Sequence, residues 1–427
     1  MTDILQVYWG KSIVGQLRMD DKGDFSFQYA PEWIENPSAI PLSIRLPLRK
    51  EPYPDSICRF FFSNLLPEGN VRALIARKLG ISETNDFELL IALGGDCAGA
   101  ISLLPEGQKV SDQGEYERVT PKELDAMIEG MSSRPLLVWK EELRLSLAGA
   151  QQKLPVYVEG EKIYLPRGTY PSSHILKPKI TGFDQIIENE AFCMTLAKRY
   201  GLPVPEARIL TGGGKAALSC FRKWNQPIYL VERYDRKRDV QNRLIRLHQE
   251  DFCQALGYSY TRKYEGEGGP NLQNCLSLLS DRGTEPLIDK KIFIQWIVFN
   301  YLIGNCDAHA KNASMLITQK DYRLAPLYDL VSTTLYPSLS AKLAMRIGGE
   351  NRPEWILRKH WERLSENAGV GTKVTLAICE EMSETLPGLA AQLSKEFTLK
   401  YGGQEIIKKI CKNISSLSKR TLASLKD

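Results

Sequence analysis

β-forming residues crowd Ile4–Trp9 and Ser12–Met19, and Phe25–Ala30 alternates aromatic with polar positions. This predicts three antiparallel strands, turning at Gly10-Lys11 and Gly23-Asp24. From Pro31 to Pro54 the chain is rich in proline and basic residues, which reads as ordered loop. Ser82 opens a predicted helix with Asn85, Asp86 and Glu88 in its early turns, where they suit the positive helix end; Gly94-Gly95 stops it. Ile101–Pro105 reads as a strand, and residues 105–119 as a polar linker or mobile loop. Thr120, Pro121 and Glu123 make a good helix start.

Further on, Val156–Leu165 reads as a hairpin turning at Glu159-Gly160-Glu161, and Pro227–Asp235 as a strand. A helix is predicted over Asp184–Tyr200, stopped by Gly201. After Asp251 the pattern turns mainly helical. Asp289–Gly304 is apolar nearly all round, the pattern of a buried central helix. A helix over Thr372–Leu386 is expected to stop before Pro387, and another over Gln404–Leu425 to finish the chain. The fold class is α+β. A β-rich part followed by an α-rich part suggests two lobes with a cleft between them, and no internal repeat is visible.

Composition narrows the class without naming an activity. The 427 residues are 43% hydrophobic and 25% charged, which excludes a disordered, collagen-like or coiled-coil chain. A net charge of +5 over this length is a weak bias and does not imply nucleic-acid binding. The nine cysteines are widely spaced with no C-x-x-C, so they read as reduced core thiols rather than a disulfide framework or zinc site. Phe293–Gly304 is too short to span a bilayer and carries Gln295 and Asn300, and the first residues lack a signal-peptide pattern. The expectation is a cytoplasmic protein with no membrane partner.

The most informative segment follows the buried helix. Asp307-Ala308-His309-Ala310-Lys311-Asn312 holds an Asp, four residues and an Asn, the spacing of the protein-kinase catalytic loop. There the Asp accepts the proton of the attacking hydroxyl, and the Asn oxygen helps hold a magnesium ion. Downstream, Asp329 follows the strand-like Tyr322–Leu327 and suits the second metal-holding carboxylate. Alone, such a spacing usually caps a turn. Its place between a buried helix and a strand ending in Asp raises its weight.

Three other stretches fit the same chemistry. Ser146–Lys153 is a run of small residues that lets backbone N–H groups approach phosphates, though it is no Walker A loop. Gly212-Gly213-Gly214-Lys215 is not one either, and reads as a hairpin turn. Lys177 ends the apolar His174–Lys177, where a kinase needs a cation for the nucleotide phosphates; Glu188 and Glu190 on the next helix compete to orient it, with Glu190 preferred. Glu232-Arg233-Tyr234 follows a strand whose backbone could read an adenine edge, with Tyr234 packing on the ring.

Together these pieces resemble the HipA toxin-kinase family, the serine/threonine kinases of bacterial type II toxin–antitoxin modules. The matching stretches are Arg144–Lys153, His174–Lys177, Glu232–Arg236, Gln249–Gln254, Lys263-Tyr264-Glu265 with Gly268-Gly269-Pro270, Asp307–Asn312 and Tyr328-Asp329. Tyr29–Trp33, Phe62–Pro67 and Gly99-Ala100 look like that family's N-terminal subdomain. The resemblance implies a two-lobed kinase-like fold: residues 1–110 as the N-terminal subdomain, 111–240 as the nucleotide-binding portion, and 241–427 as the helical catalytic lobe.

It implies ATP and Mg2+ as cofactors, with Asp307 as catalytic base and His309 and Lys311 flanking the transferring group. Asn312 and Asp329 would hold magnesium. Lys177 and the loop Ala148, Gly149, Ala150, Gln151, Gln152 and Lys153 would take the phosphates, and Glu232, Arg233 and Tyr234 the adenine side. Ser146 would be an autophosphorylation site, where added charge would repel ATP from the loop. The implied partners are a DNA-binding, helix-turn-helix antitoxin of the HipB kind and a protein substrate, such as an aminoacyl-tRNA synthetase. Two departures stand out: Gln152 where a relative has Glu, and Ala308 where Gly is found. Rival readings are a small-molecule kinase, because Asp-x-His-x-x-Asn also resembles aminoglycoside and lipid kinase loops, and a catalytically weak co-repressor.

Overall fold

The computed structural model describes residues 3–110, 115–132, 135–138, 151–210 and 227–426. The chain divides into two compact units. One comprises Met1–Pro178, Leu210–Tyr260 and Leu316–Asp321; the other comprises Lys179–Ile209, Thr261–Met315 and Tyr322–Asp427.

The first unit is built on antiparallel sheets. Tyr53–Pro54, Phe25–Tyr29, Ser12–Met19, Asp3–Trp9 and Ile101–Pro105 lie side by side in that order. The three expected N-terminal strands form with their inward positions Leu5, Val7, Leu17 and Phe27 fully buried. Gly15 is required by this pairing, because a Cβ there would strike the Gln28 carbonyl and, at 2.9 Å, the Phe27 ring. Helices Asp55–Ser63, Gly69–Leu79 and Asp86–Leu93 contribute Phe62, Ile75 and Leu90 to the same core. A second sheet runs Tyr116–Val119, Lys162–Pro166, Leu154–Glu159, His174–Lys177 and Ile228–Glu232, each pair antiparallel.

The second unit is mainly helical. Ile186–Tyr200, Leu272–Arg282, Pro286–Ile303, Arg358–Ala368, Thr372–Tyr401 and Gln404–Lys426 bury Phe192, Trp296, Trp361 and Ile410. Pro286–Ile303 is buried along most of its length, as its all-round apolar pattern requires.

Four expectations are corrected. The early helix begins at Asp86, not Ser82, because the Asn85 side chain accepts from the Glu88 N–H and so caps it. Part of the expected linker, Tyr116–Val119, is a strand; Tyr116 and Glu117 are half-buried, Arg118 is exposed and Val119 is buried. Pro387 does not end its helix, which continues to Tyr401. Proline removes one backbone donor, but Met382, Leu386, Ala390, Leu393 and Phe397 stay buried across it, and that packing outweighs one lost bond. The strand expected up to Leu327 stops at Leu324.

One carboxyl in the first unit is spent on architecture. Glu250 is fully buried, accepting from the Ser43 hydroxyl at 2.6 Å and the Ile44 N–H at 2.8 Å. Burial pushes its carboxyl up to about 8, against the lowering effect of those donors. The folded value lies above the unfolded one of about 4.3, so the stabilisation is full below that value and is lost as pH rises through about 8. Unfolding midpoints measured from pH 5 to 9 are expected to fall more steeply for the natural chain than for Glu250→Gln. Parallel curves would refute this assignment.

Candidate active site

The buried helix sets up the catalytic segment by how it ends. Gly304 takes a left-handed conformation at φ +71°, and a Cβ there would strike Asn413 and Thr334. The next residue, Asn305, donates its N–H to the Asn300 carbonyl at 2.8 Å and its side-chain amide to Asn300 Oδ1 at 2.7 Å. That leaves Asn305 Oδ1 to accept the Asp307 N–H at 3.1 Å, while its amide also reaches the Asp329 carbonyl at 3.3 Å. One asparagine thus ties the Asp307 turn to the Asp329 turn.

Asp307 itself is exposed, and its Oδ1 accepts the Tyr264 hydroxyl at 2.7 Å. Its carbonyl accepts from the His309 N–H at 2.9 Å and from the Asn312 side-chain amide at 3.0 Å. With its NH2 so engaged, Asn312 keeps its Oδ1 for another partner. Asp329 is half-buried at φ +54°, a conformation costly for a residue with a side chain and typical of functional turns. His309 and Lys311 are buried; the Tyr264 ring stands edge-on to His309 at 5.2 Å, and the Lys311 carbonyl accepts the Tyr328 hydroxyl at 2.8 Å. Asp307, His309, Lys311, Asn312 and Asp329 therefore belong to one local cluster in the helical unit. Neighbouring Cys306 is buried, which pushes its thiol up to about 12 and keeps it an inert core group.

Hard oxygen donors on Asn312 and Asp329 fit a magnesium ion, which takes one or two carboxylates with water and phosphate oxygens. Among the described residues, no group of three or more His, Cys, Asp or Glu is placed to hold a metal.

In the first unit, Lys177 is buried at the end of its strand, in register with Tyr229. Glu232 is exposed at the end of the adjacent strand. Arg233 faces inward: its guanidinium pairs with Asp235 at 2.7 Å and Asp96 at 3.4 Å, its N–H is donated to the Ser173 carbonyl at 2.9 Å, and its carbonyl accepts the Arg236 N–H at 3.2 Å. Tyr234 donates to Gln249 at 2.6 Å. Gln152 is fastened to the Leu136 N–H at 3.3 Å and the Met131 carbonyl at 3.2 Å, which anchors the end of the small-residue loop. Gln151 and Lys153 are half-buried beside it. Glu188 and Glu190 are both buried in the helical unit, where burial pushes the Glu188 carboxyl up. Ser146, Ala148, Gly149, Ala150 and the Gly212–Lys215 run lie outside the described residues.

Behind Arg233 lies a buried charge cluster. Asp96 pairs with Arg236 at 2.8 Å and Arg246 at 2.9 Å and accepts the Ser172 hydroxyl at 2.6 Å. Asp235 accepts the Gly99 N–H at 2.8 Å. Burial alone would raise the Asp96 carboxyl, but Arg236, Arg246 and Arg233 outweigh it and hold it far below the usual range.

Asn305 and Tyr264 have no role assigned from the sequence, and both touch Asp307. Tyr264 lies in a family-like stretch, which is the one signal available for it.

Comparison with known proteins bears on the family and the fold. Residues 145–389 match the family model for the HipA-like C-terminal domain, and residues 5–104 match that for the HipA N-terminal domain. The chain is 42% identical over 373 residues to Y4mE of Sinorhizobium fredii, whose name assigns it to the kinases, covering 86% of each. It is 31% identical over 401 residues to the serine/threonine-protein kinase toxin HipA of Shewanella oneidensis, covering 91% of this chain and 89% of the relative. The solved structure of HipA from Shewanella oneidensis with HipB and operator DNA superposes with a TM-score of 0.85 at 28% identity, covering 99% and 98% of the two chains.

Proposed function

The chain belongs to the HipA family, and from that premise we propose that it is an ATP-dependent serine/threonine protein kinase, the toxin of a toxin–antitoxin module. The observation that carries the reading is the Asp307, Asn312 and Asp329 cluster tied through Asn305.

Asp307 accepts the proton of a substrate serine or threonine hydroxyl as the new O–P bond forms and the bond to the ADP leaving group breaks. Asn312 and Asp329 hold Mg2+, which supplies charge neutralisation on the phosphates when bound. Lys177 and residues 148–153 take the nucleotide phosphates. The exposed end at Glu232, the second lone pair of the Arg233 carbonyl and Tyr234 serve the adenine side. His309 and Lys311 are fixed in place beside the base by burial.

The partner is a HipB-like DNA-binding antitoxin. The complex with HipB and operator DNA described for the Shewanella protein supports this choice. The substrate is a protein of the translation apparatus, such as an aminoacyl-tRNA synthetase. No described helix is long and apolar enough to cross a membrane.

Incubation with Mg-ATP followed by mass spectrometry is expected to find phosphate on Ser146, and none in Asp307→Ala. Phosphate only on other residues removes Ser146 from the scheme. A chain that neither modifies itself nor consumes ATP overturns the kinase reading.

A further inference from the structure

We propose that Tyr264 is a positioning residue for phosphoryl transfer: its hydroxyl fixes the Asp307 carboxylate so that one oxygen faces the substrate. The proposal rests on the reading of Asp307 as the base.

A carboxylate swings on a broad, low torsional well, so an exposed aspartate samples many orientations. Here Oδ1 of Asp307 is held by the Tyr264 hydroxyl at 2.7 Å. Among the described residues Oδ2 accepts no hydrogen bond, and it is the oxygen left to take a proton.

Tyr264 in turn is built into place. Its carbonyl accepts the N–H groups of Glu267 at 3.0 Å and Gly269 at 2.9 Å. That tight turn requires glycine, because a Cβ on Gly269 would strike the Arg262 carbonyl and come within 2.7 Å of the Tyr264 carbonyl. The neighbouring Glu265 donates its N–H to the Ala344 carbonyl at 3.2 Å and accepts the Arg346 N–H at 2.6 Å. The phenol ring stands edge-on to buried His309 at 79°. The Lys263-Tyr264-Glu265 and Gly268-Gly269 stretch is thereby accounted for as a mount for one hydroxyl. A mount of this kind lets the carboxylate meet its substrate already oriented, which acts on the chemical step rather than on nucleotide binding.

The test uses four full-length chains: natural, Tyr264→Phe, Asp307→Ala and the double variant. Transfer of labelled phosphate from Mg-ATP to the chain itself gives kcat and the KM for ATP. Tyr264→Phe is expected to lower kcat about tenfold with KM for ATP unchanged, and to cause no further loss in the Asp307→Ala background. Urea midpoints of the same four chains supply a measurement independent of activity. The double variant is expected to lose less than the sum of the single losses.

An unchanged kcat overturns the proposal. So does a raised kcat, which makes the phenol a blocker in the substrate's place. Additive stability losses also overturn it, because the bond is then absent in solution. A natural chain that transfers no phosphate while the midpoints remain coupled overturns the kinase reading instead.

Discussion

Asp307→Ala is expected to lower phosphoryl transfer by about 10² to 10⁴, the range for removal of a general base. The physical reason is local. Asp307 is the exposed carboxylate of a turn whose other atoms are all committed: its N–H to Asn305, its carbonyl to His309 and Asn312, its Oδ1 to Tyr264. Removing the side chain leaves the backbone bonds intact, so the turn and the Asn312 amide stay in place. Nucleotide affinity, read with a fluorescent ATP analogue, is therefore expected to change little while the rate falls. Asp307→Asn is the control for shape, since it can still accept from Tyr264 but is a far weaker base. Equal rates for the natural chain and Asp307→Ala would take the residue out of the mechanism. A comparable loss of nucleotide binding would show that the substitution acts through structure.

Asp96→Ala is expected to destabilise the chain by about 3 to 5 kcal/mol, the usual cost of removing one partner from a buried ion pair. Asp96 is fully buried with Arg233, Arg236 and Arg246 around it, and its loss leaves those guanidinium groups with Asp235 as remaining counter-charge. Urea unfolding measures the loss directly. The pH dependence follows from the direction of the shift. The folded carboxyl lies below its unfolded value of about 3.9, so its contribution is full above that value and is lost as pH falls through the folded one. The gap between the natural chain and Asp96→Ala should hold from neutrality to mild acid and narrow only in strong acid. A gap already closed at pH 5 would mean that the arginines do not hold the charge.

The catalytic segment and Asp329 are legible in the sequence because their chemistry depends on residue type at a short spacing. The buried helix before them is legible because it is apolar on every face. Asn305 and Tyr264 are not legible in this way. Their roles come from hydrogen bonds that close only in the fold, Tyr264 from 43 residues away, and an isolated Asn or Tyr carries no such signal. Arg233 is half legible: its position beside the strand end is readable and Asp235 lies two residues on, but its other carboxylate partner is 137 residues away. Pro387 misleads because a local rule weighs one missing donor and cannot see the packing that spans it.

The Asp96 cluster also bears on how the chain is made. Ribosomes deliver Asp96 early, just after the helix Asp86–Leu93 and before the last strand of the N-terminal sheet, Ile101–Pro105. Every arginine that pairs with it lies past residue 230, so the nascent N-terminal piece carries a carboxylate with no counter-charge yet synthesised. The ion-pair cluster around Asp96 therefore closes only after Arg246 has been made, well after the apolar core of the N-terminal sheet and helices has all its residues.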